Sequence, residues 1–429
     1  MKGNITIVLA VLLIAGNNAG AQIIRNPEAA AYLREDLTRA GVNSNCYEFP
    51  ELKDTPAPKG YKPFYISHYG RHGSRSDWGS ANYARLEKVL SEGKAAGILT
   101  PGGDSLLTLT REVIRLHDGM DGRLVPRGLY EHRMLADRMF HRYRRVFTKG
   151  SGKISAVSSM VPRCMLSMTA FTDRLSELDP GLDIHWDAGE KIQAYVDNVC
   201  PADIDKSAYR IIDSLYAAEV PDTVLIFRRL FTDAEAGRRI AGDPVQFQRD
   251  IFAAGRVQDP FELDGNIMAF LPFDVVYHNW EYVNLNHFLH QCNSVEFGDR
   301  RLPAVRNLVD DIVSRADDAI RTGNHAADLR FGHDYPALNL VCYLGFEGVG
   351  ERYDVEAARQ HFNGSLYFPF AMSIQMVFYR NNSGDILVKF LLNEQETLLR
   401  GLAPVSGPYY RWNTVKANLK GYLQRSSHA

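Results

Sequence analysis

Residues 63–75 read PFYISHYGRHGSR, a run from Pro63 to Gly70 followed at once by Arg71, His72, Gly73, Ser74 and Arg75. The first part, aromatic and β-branched and ending in glycine, predicts a buried strand entered from the turn Pro56 to Gly60. The second part places two arginines four positions apart, with a histidine between them, where the strand gives way to a helix. In α/β sheets ligands sit in the crevice at the carboxyl ends of the strands. Two guanidinium forks at this spacing can close around one tetrahedral oxyanion. Gly70 and Gly73 suit tight turning and close backbone approach. A surface turn with incidental charges would not need a buried strand feeding straight into two arginines.

Two more strand ends carry matching chemistry. Lys153 to Ser158 reads as a strand, and Arg163 follows in the first turn of a helix from Pro162 to Leu175, where free backbone N–H groups favour an anion. Leu329 to Gly332 reads as another strand and delivers His333 and Asp334, an imidazole beside a carboxylate. Three arginines, two histidines and one acid at three strand ends make a self-consistent phosphate site.

Around these points the chain alternates elements. Ser80 fits as the cap of a helix with Tyr83, Leu86, Val89 and Leu90 on its apolar face. A long helix over Leu129 to Phe147 is expected, with Arg133, Arg138, Arg142, Arg144 and Arg145 on a solvated face. From about Asp179 to Asn324 the pattern becomes successive helices without a clear strand. The last of them opens at Pro303, shows a stripe from Val305 to Ile320 and closes at Gly323. Strand-like runs return at Phe368 to Arg380 and Ile386 to Leu392. The expected fold class is α/β: a three-layer core with a central mixed sheet, residues 22–178 and 325–429, carrying an inserted, mostly α-helical cap over 179–324.

The chain has 429 residues, 45% hydrophobic and 23% charged, values that argue against disorder, collagen and coiled coil. With 49 Lys plus Arg against 51 Asp plus Glu, a net charge of -2 supplies no general drive toward nucleic acid or an acidic membrane. Any bound anion must be held by local cations. Lys2, the apolar run Ile5 to Ala15 and the small residues Ala19 to Ala21 read as a cleavable secretory signal over 1–21, too short for a spanning helix. The five cysteines, Cys46, Cys164, Cys200, Cys292 and Cys342, contain no C-x-x-C pair, so zinc-ribbon and thioredoxin readings lack support, and at most two disulfides can form as local staples.

With these residues in view the chain resembles the histidine acid phosphatases, the branch with phytases and multiple inositol polyphosphate phosphatases. The family's R-H-G-x-R is matched by Arg71 to Arg75, its S-x-x-x-x-R-x-x-x-S by Ser158, Arg163 and Ser167, and its H-D pair by His333 and Asp334. The stretch Leu124 to Leu135, with Gly128 and His132, is similar to the family's L-T-x-x-G-x-x-x-H-x-x-L block, and Val388 to Glu394 to its last core strand. These blocks span residues 61 to 394. Two departures stand out: Ser76 and Asp77 occur where the family often has a proline, and Tyr335 and Pro336 follow the H-D pair in place of T-N.

The resemblance implies a phosphoric monoester hydrolase in which His72 attacks phosphorus and forms a phosphohistidine. Arg71, Arg75, Arg163 and His333 would bind the non-bridging oxygens. Asp334 would protonate the leaving alkoxide and then activate water. It implies a small phosphomonoester as partner, phytate or another inositol polyphosphate being favoured, with no metal and no cofactor, and a periplasmic or secreted location. The alternatives are a broad acid phosphatase acting on sugar phosphates or nucleotides and, in another class, an inactive phosphate-binding protein. The latter would be expected to have lost His72 or Asp334. His68 and His132 read as buried structural groups. His287 and His290 have a spacing that mimics a metal pair but lack a third ligand.

Overall fold

The computed structural model describes residues 24–78, 81–197 and 202–426. The signal-like segment, Ser80 and Cys200 lie outside the described residues. Eight strands form one mixed sheet: β1 (Lys62–Arg71), β2 (Lys153–Ser158), β3 (Asp183–Asp187), β4 (Ala327–Gly332), β5 (Ser373–Arg380), β6 (Ile386–Leu392), β7 (Gln395–Thr397) and β8 (Tyr409–Arg411). Their order is β3-β2-β4-β1-β5-β6-β7, with β8 pairing β6. β3, β2, β4 and β1 run parallel, whereas β5 to β8 join as antiparallel neighbours.

This order positions the site. β4 lies between β1 and β2, Arg71 pairs with Gly332, and Ser158 pairs with Phe331, so three parallel strands end level with one another. The side-chain alternation of a strand then sends neighbours to opposite layers. Ile66, Leu329, Phe331, Ile154 and Ala156 pack with Leu135, Met139, Phe171 and Leu175 from the Pro126–Arg142 and Pro162–Leu178 helices. Tyr65 and Tyr69 face the other way, into an apolar cluster that continues without a break into helices of the 202–322 span, through Trp280, Phe288 and Leu308. Each fully buried side chain of this size contributes about 1.5–3 kcal/mol.

Three local expectations are corrected. The span from Asp179 does contain a strand, β3, whose burial is limited to Ile184; its pairing with β2, not an apolar pattern, makes it a strand. The helix expected over 129–147 is two, Pro126–Arg142 and Arg144–Lys149, broken at Tyr143 where φ is -119° and ψ 35°. Its basic face is only partly solvated: Arg138 donates to Glu394 at 2.8 Å, and Arg142 to Asp54 at 2.8 Å with only 4% of its side chain exposed. Cys46, Cys164, Cys292 and Cys342 are buried free thiols. Among the described residues no helix is long and apolar enough to cross a membrane.

Candidate active site

The segment after β1 is clamped on every side. Arg71 N donates to Met372 O (2.8 Å), His72 N to Gly332 O (2.9 Å) and Gly73 N to Ser167 Oγ (3.0 Å). Beneath it lies the Pro126–Arg142 helix. Its buried Glu131 accepts from Ser74 N (2.8 Å), Ser74 Oγ (2.7 Å) and Tyr47 N (3.0 Å), and His132 Nε2 donates to Arg71 O at 3.1 Å. Burial raises the Glu131 carboxyl above its ordinary value despite these donors.

The crossing itself explains two glycines. A Cβ on Gly73 would lie 2.4 Å from Gly128 O, and one on Gly128 2.4 Å from Ser74 O. Gly73 has no positive φ, so close approach and not a left-handed turn is what it supplies. Gly128→Ala is therefore expected to destabilise the chain by about 1–3 kcal/mol, the usual range for overpacking. It should also displace the 71–75 segment and lower the thermal melting temperature. Unchanged melting would contradict the clamp.

All six residues singled out from the sequence meet at the level ends of β1, β2 and β4. His72 is 2% exposed and forms a buried floor. Its Nδ1 faces Gly73 O at 2.9 Å; a carbonyl only accepts, so Nδ1 carries the proton and Nε2 keeps its lone pair. Burial, with Arg71, Arg163 and Arg75 adding to it, holds His72 well below the ordinary histidine value, which leaves it neutral.

Three guanidinium groups surround this imidazole. Arg71 is tethered by Asn43 O (2.7 Å), Phe368 O (2.9 Å) and Asp334 Oδ2 (3.1 Å). Arg75 is held by Ser76 O at 2.7 Å, and Arg163 NH2 approaches His333 Nδ1 at 3.3 Å. The Nε atoms of all three are buried without a hydrogen-bond partner among the described residues. Burial and mutual repulsion lower Arg71, and bring Arg75 down to about 10. Phe370 supports Arg71 at 4.6 Å, while Trp78 lies 4.8 Å from Arg163 and 5.4 Å from Arg75. Crowded cations with unpartnered N–H groups are the donor set a tetrahedral anion satisfies. The helices that begin at Pro162 and Asp334 add N-termini without side-chain caps.

Asp334 sits in the first turn of the Asp334–Leu344 helix. Burial alone would push its carboxyl up, yet Arg71, His287 and the Asn43 amide at 2.9 Å hold it well below the usual carboxylate range. Asn43 in turn accepts from Arg256 at 2.8 Å. His333 is drawn down to about 4 by burial and Arg163, against Asp197 and Asp334.

Several of these residues escape sequence reasoning. Asn43, Arg256 and Asp197 stand in no motif, and nothing local marks them. Glu131 falls inside the Leu124 to Leu135 block, three positions after Gly128, where its spacing to the clamped glycine is the available signal. His68 and His132 are buried and drawn down to about 3 by burial, and His68 stacks on Phe171 at 5.4 Å. His290 Nδ1 donates to Asn286 O at 2.8 Å, and its Nε2 lies 3.2 Å from Asp205. Among the described residues no group of three or more His, Cys, Asp or Glu has an arrangement suited to a metal ion.

No family model and no curated protein matches this chain. Solved structures are similar to it in fold. One is the multiple inositol polyphosphate phosphatase of Bifidobacterium longum in complex with inositol hexasulfate: 16% identity, TM-score 0.71, covering 89% of this chain and 97% of that one. Another is the phytase of D. castellii: 11% identity, TM-score 0.68, 94% and 91% covered. A third is the phytase of Hafnia alvei in complex with myo-inositol hexakis sulphate: 12% identity, TM-score 0.53, 86% and 99% covered. These neighbours belong to the histidine acid phosphatases, and the chain shares their fold.

Proposed function

We propose that this chain is an exported phosphomonoesterase that hydrolyses inositol polyphosphates through a phosphohistidine on His72. The observation that carries the reading is the neutral His72 imidazole, its Nε2 lone pair free, ringed by Arg71, Arg75 and Arg163 with their Nε atoms unpartnered. Nε2 attacks phosphorus in line while the ester oxygen departs on the opposite side. The guanidinium groups and His333 bind the non-bridging oxygens through the transition state, where positioning and charge stabilisation are the main requirements. Asp334 gives a proton to the leaving oxygen and then takes one from the water that cleaves the N–P bond, which restores His72. The segment 1–21 supports export, with a mature chain from Gln22. The ligands of the B. longum and Hafnia structures support an inositol polyphosphate substrate, with the helices from Ala202 to Thr322, and not the β3 part of the 179–324 span, as the cap beside the pocket.

Phosphate release measured on phytate, glucose 1-phosphate, a nucleotide and an aryl phosphate tests this. The expected outcome is the highest kcat/KM on phytate, unchanged after exhaustive EDTA treatment because the arginines supply the positive charge. Preference for sugar phosphates or nucleotides would make the chain a broad acid phosphatase. Binding of phosphate without hydrolysis of any ester would make it a binding protein.

A further inference from the structure

Asp197 arrives at the site from the far end of the Glu190–Val196 helix, and no sequence block includes it. The helix end is pinned on two sides. Val196 O accepts from Tyr69 OH (3.0 Å), and Gln193 joins Ser158 O (3.3 Å) and Met160 N (3.1 Å) just after β2. Tyr335 OH donates to Asp197 Oδ1 at 2.6 Å, and the Tyr335 ring stacks on His333 with centroids 5.1 Å apart and planes 3° from parallel. The other carboxylate oxygen lies 3.8 Å from His333 Nε2.

The two ring nitrogens of His333 face opposite surroundings. Nδ1 faces Arg163 NH2, which can only donate, so Nδ1 carries no proton in the free site and Nε2–H points toward Ser159 Oγ (3.1 Å) and Asp197. Every element packed on the ring contributes. Arg71 and His72 stand at the end of β1, and Tyr69 OH accepts from His333 N at 3.3 Å. Arg163 and the Cys164 thiol (3.7 Å from Nε2) lie on the Pro162–Leu178 helix, Ser159 follows β2, and Asp334 and Tyr335 follow His333. Arg163 and Arg71 oppose a charge on the ring, whereas Asp197 and Asp334 favour one. Asp334 is committed to Arg71 and Asn43. Among the described residues, the ion pair of Asp197 is with His333.

We propose that Asp197 is a positioning residue: it holds His333 through Nε2 and steadies a second proton on that ring, so that Nδ1–H donates to the phosphoryl group. This rests on the phosphatase reading above. When an anion enters, Arg163 turns its N–H to the anion, Nδ1 is released from that contact, and a proton taken up from the medium occupies it. Tyr335, where T-N follows the acid in the family's phytase pattern, keeps both the ring plane and the carboxylate in place.

Inorganic sulfate is the probe, because its charge stays constant across the acidic and neutral range. Its binding to the full chain is measured calorimetrically against pH, in two buffers of different ionisation enthalpy so that proton uptake is counted. Wild-type protein is expected to take up a proton on binding. Asp197→Asn should bind about tenfold more weakly in the acidic range, the equivalent of one pKa unit, and the pH at which affinity is lost should fall by about one unit. The sign follows from charge: the variant no longer favours the imidazolium, so the ring loses its proton at lower pH. Asp197→Glu should restore part of the uptake. Tyr335→Phe, which removes no charge, should give a smaller loss in the same direction and serves if Asp197→Asn does not fold. In turnover, the loss of kcat/KM should be the same for alkyl and aryl esters, because the leaving group is not involved. Unaltered sulfate affinity, pH dependence and proton uptake in Asp197→Asn would overturn the assignment. A wild-type chain that binds no sulfate and hydrolyses no ester would instead overturn the phosphatase reading.

Discussion

Replacing His72 by Ala is expected to abolish phosphoenzyme formation and lower turnover by about 10⁴-fold or more, the scale seen when a nucleophile is removed from an enzyme that keeps its oxyanion-binding groups. Arg71, Arg75 and Arg163 are held by Asn43, Phe368, Asp334, Ser76 and His333, not by the imidazole, so the variant should still bind inorganic phosphate. Rapid-quench labelling with a phosphate-labelled ester, worked up under alkaline conditions, should place the label on wild-type His72 Nε2 and nowhere in the variant. Wild-type turnover in the variant would sink the nucleophile assignment. The same geometry sets a pH dependence. Burial and three guanidinium groups depress His72, so the nucleophilic neutral form persists as pH falls below the ordinary histidine value of about 6.5. It is lost only when pH drops through the depressed value. The kcat/KM profile should therefore show no acid limb near pH 6.5, and such a limb would contradict the environment described for this ring.

Asp334→Asn should cut single-turnover phosphorylation by phytate or a sugar phosphate by about 10² to 10⁴, the usual contribution of a general acid. An aryl phosphate should lose much less, because aryl oxide departs with little help. In the free site the Asp334 carboxyl is ionised, since Arg71 at 3.1 Å and Asn43 at 2.9 Å outweigh burial. It can serve as an acid only if the proton arrives with the substrate, so the productive ester is the monoanion, which passes its proton to Asp334 as the phosphoryl oxygens settle among the arginines. For alkyl esters kcat/KM should then decline as pH rises through the second phosphate ionisation near pH 6, and Asp334→Asn should remove the part of this decline that alkyl esters do not share with aryl esters. If alkyl and aryl esters lost the same factor in the first step, Asp334 would be a binding or structural residue and not the acid.

How much of this could be read from the sequence differs residue by residue. The placement of Arg71, His72, Arg75, Arg163, His333 and Asp334 was legible because each lies at or within a few residues of the end of β1, β2 or β4, and a strand end is a local signal of apolar run, glycine and helix start. Elements with a buried stripe were legible for the same reason: β2 and β6 fall at the residues read for them, and Gly323, at φ 67°, ends its helix as a left-handed cap. β3 was not, because a DIHWD strand that buries only Ile184 has no alternation to read; backbone pairing with β2 makes it a strand. Nor were the partners of Arg138 and Arg142, since Glu394 and Asp54 lie far along the chain and a helix face does not announce which acids will reach it.

By itself, then, the sequence determined which chemical groups stand at which strand ends, because hydrophobic periodicity and turn residues act over a few positions. Tertiary structure decided the rest. It set β4 between β1 and β2 so that three ends coincide, and it brought Asn43 to Asp334 across 291 residues of chain. It also seated Asp197 against His333 and put Glu131 beneath Ser74. Those contacts join residues whose spacing carries no period, and they exist only because sheet order and helix packing close the chain on itself. The charge state of His72 and Asp334 belongs to the same class, being set by burial and by guanidinium groups contributed from separate elements rather than by anything in the residue itself.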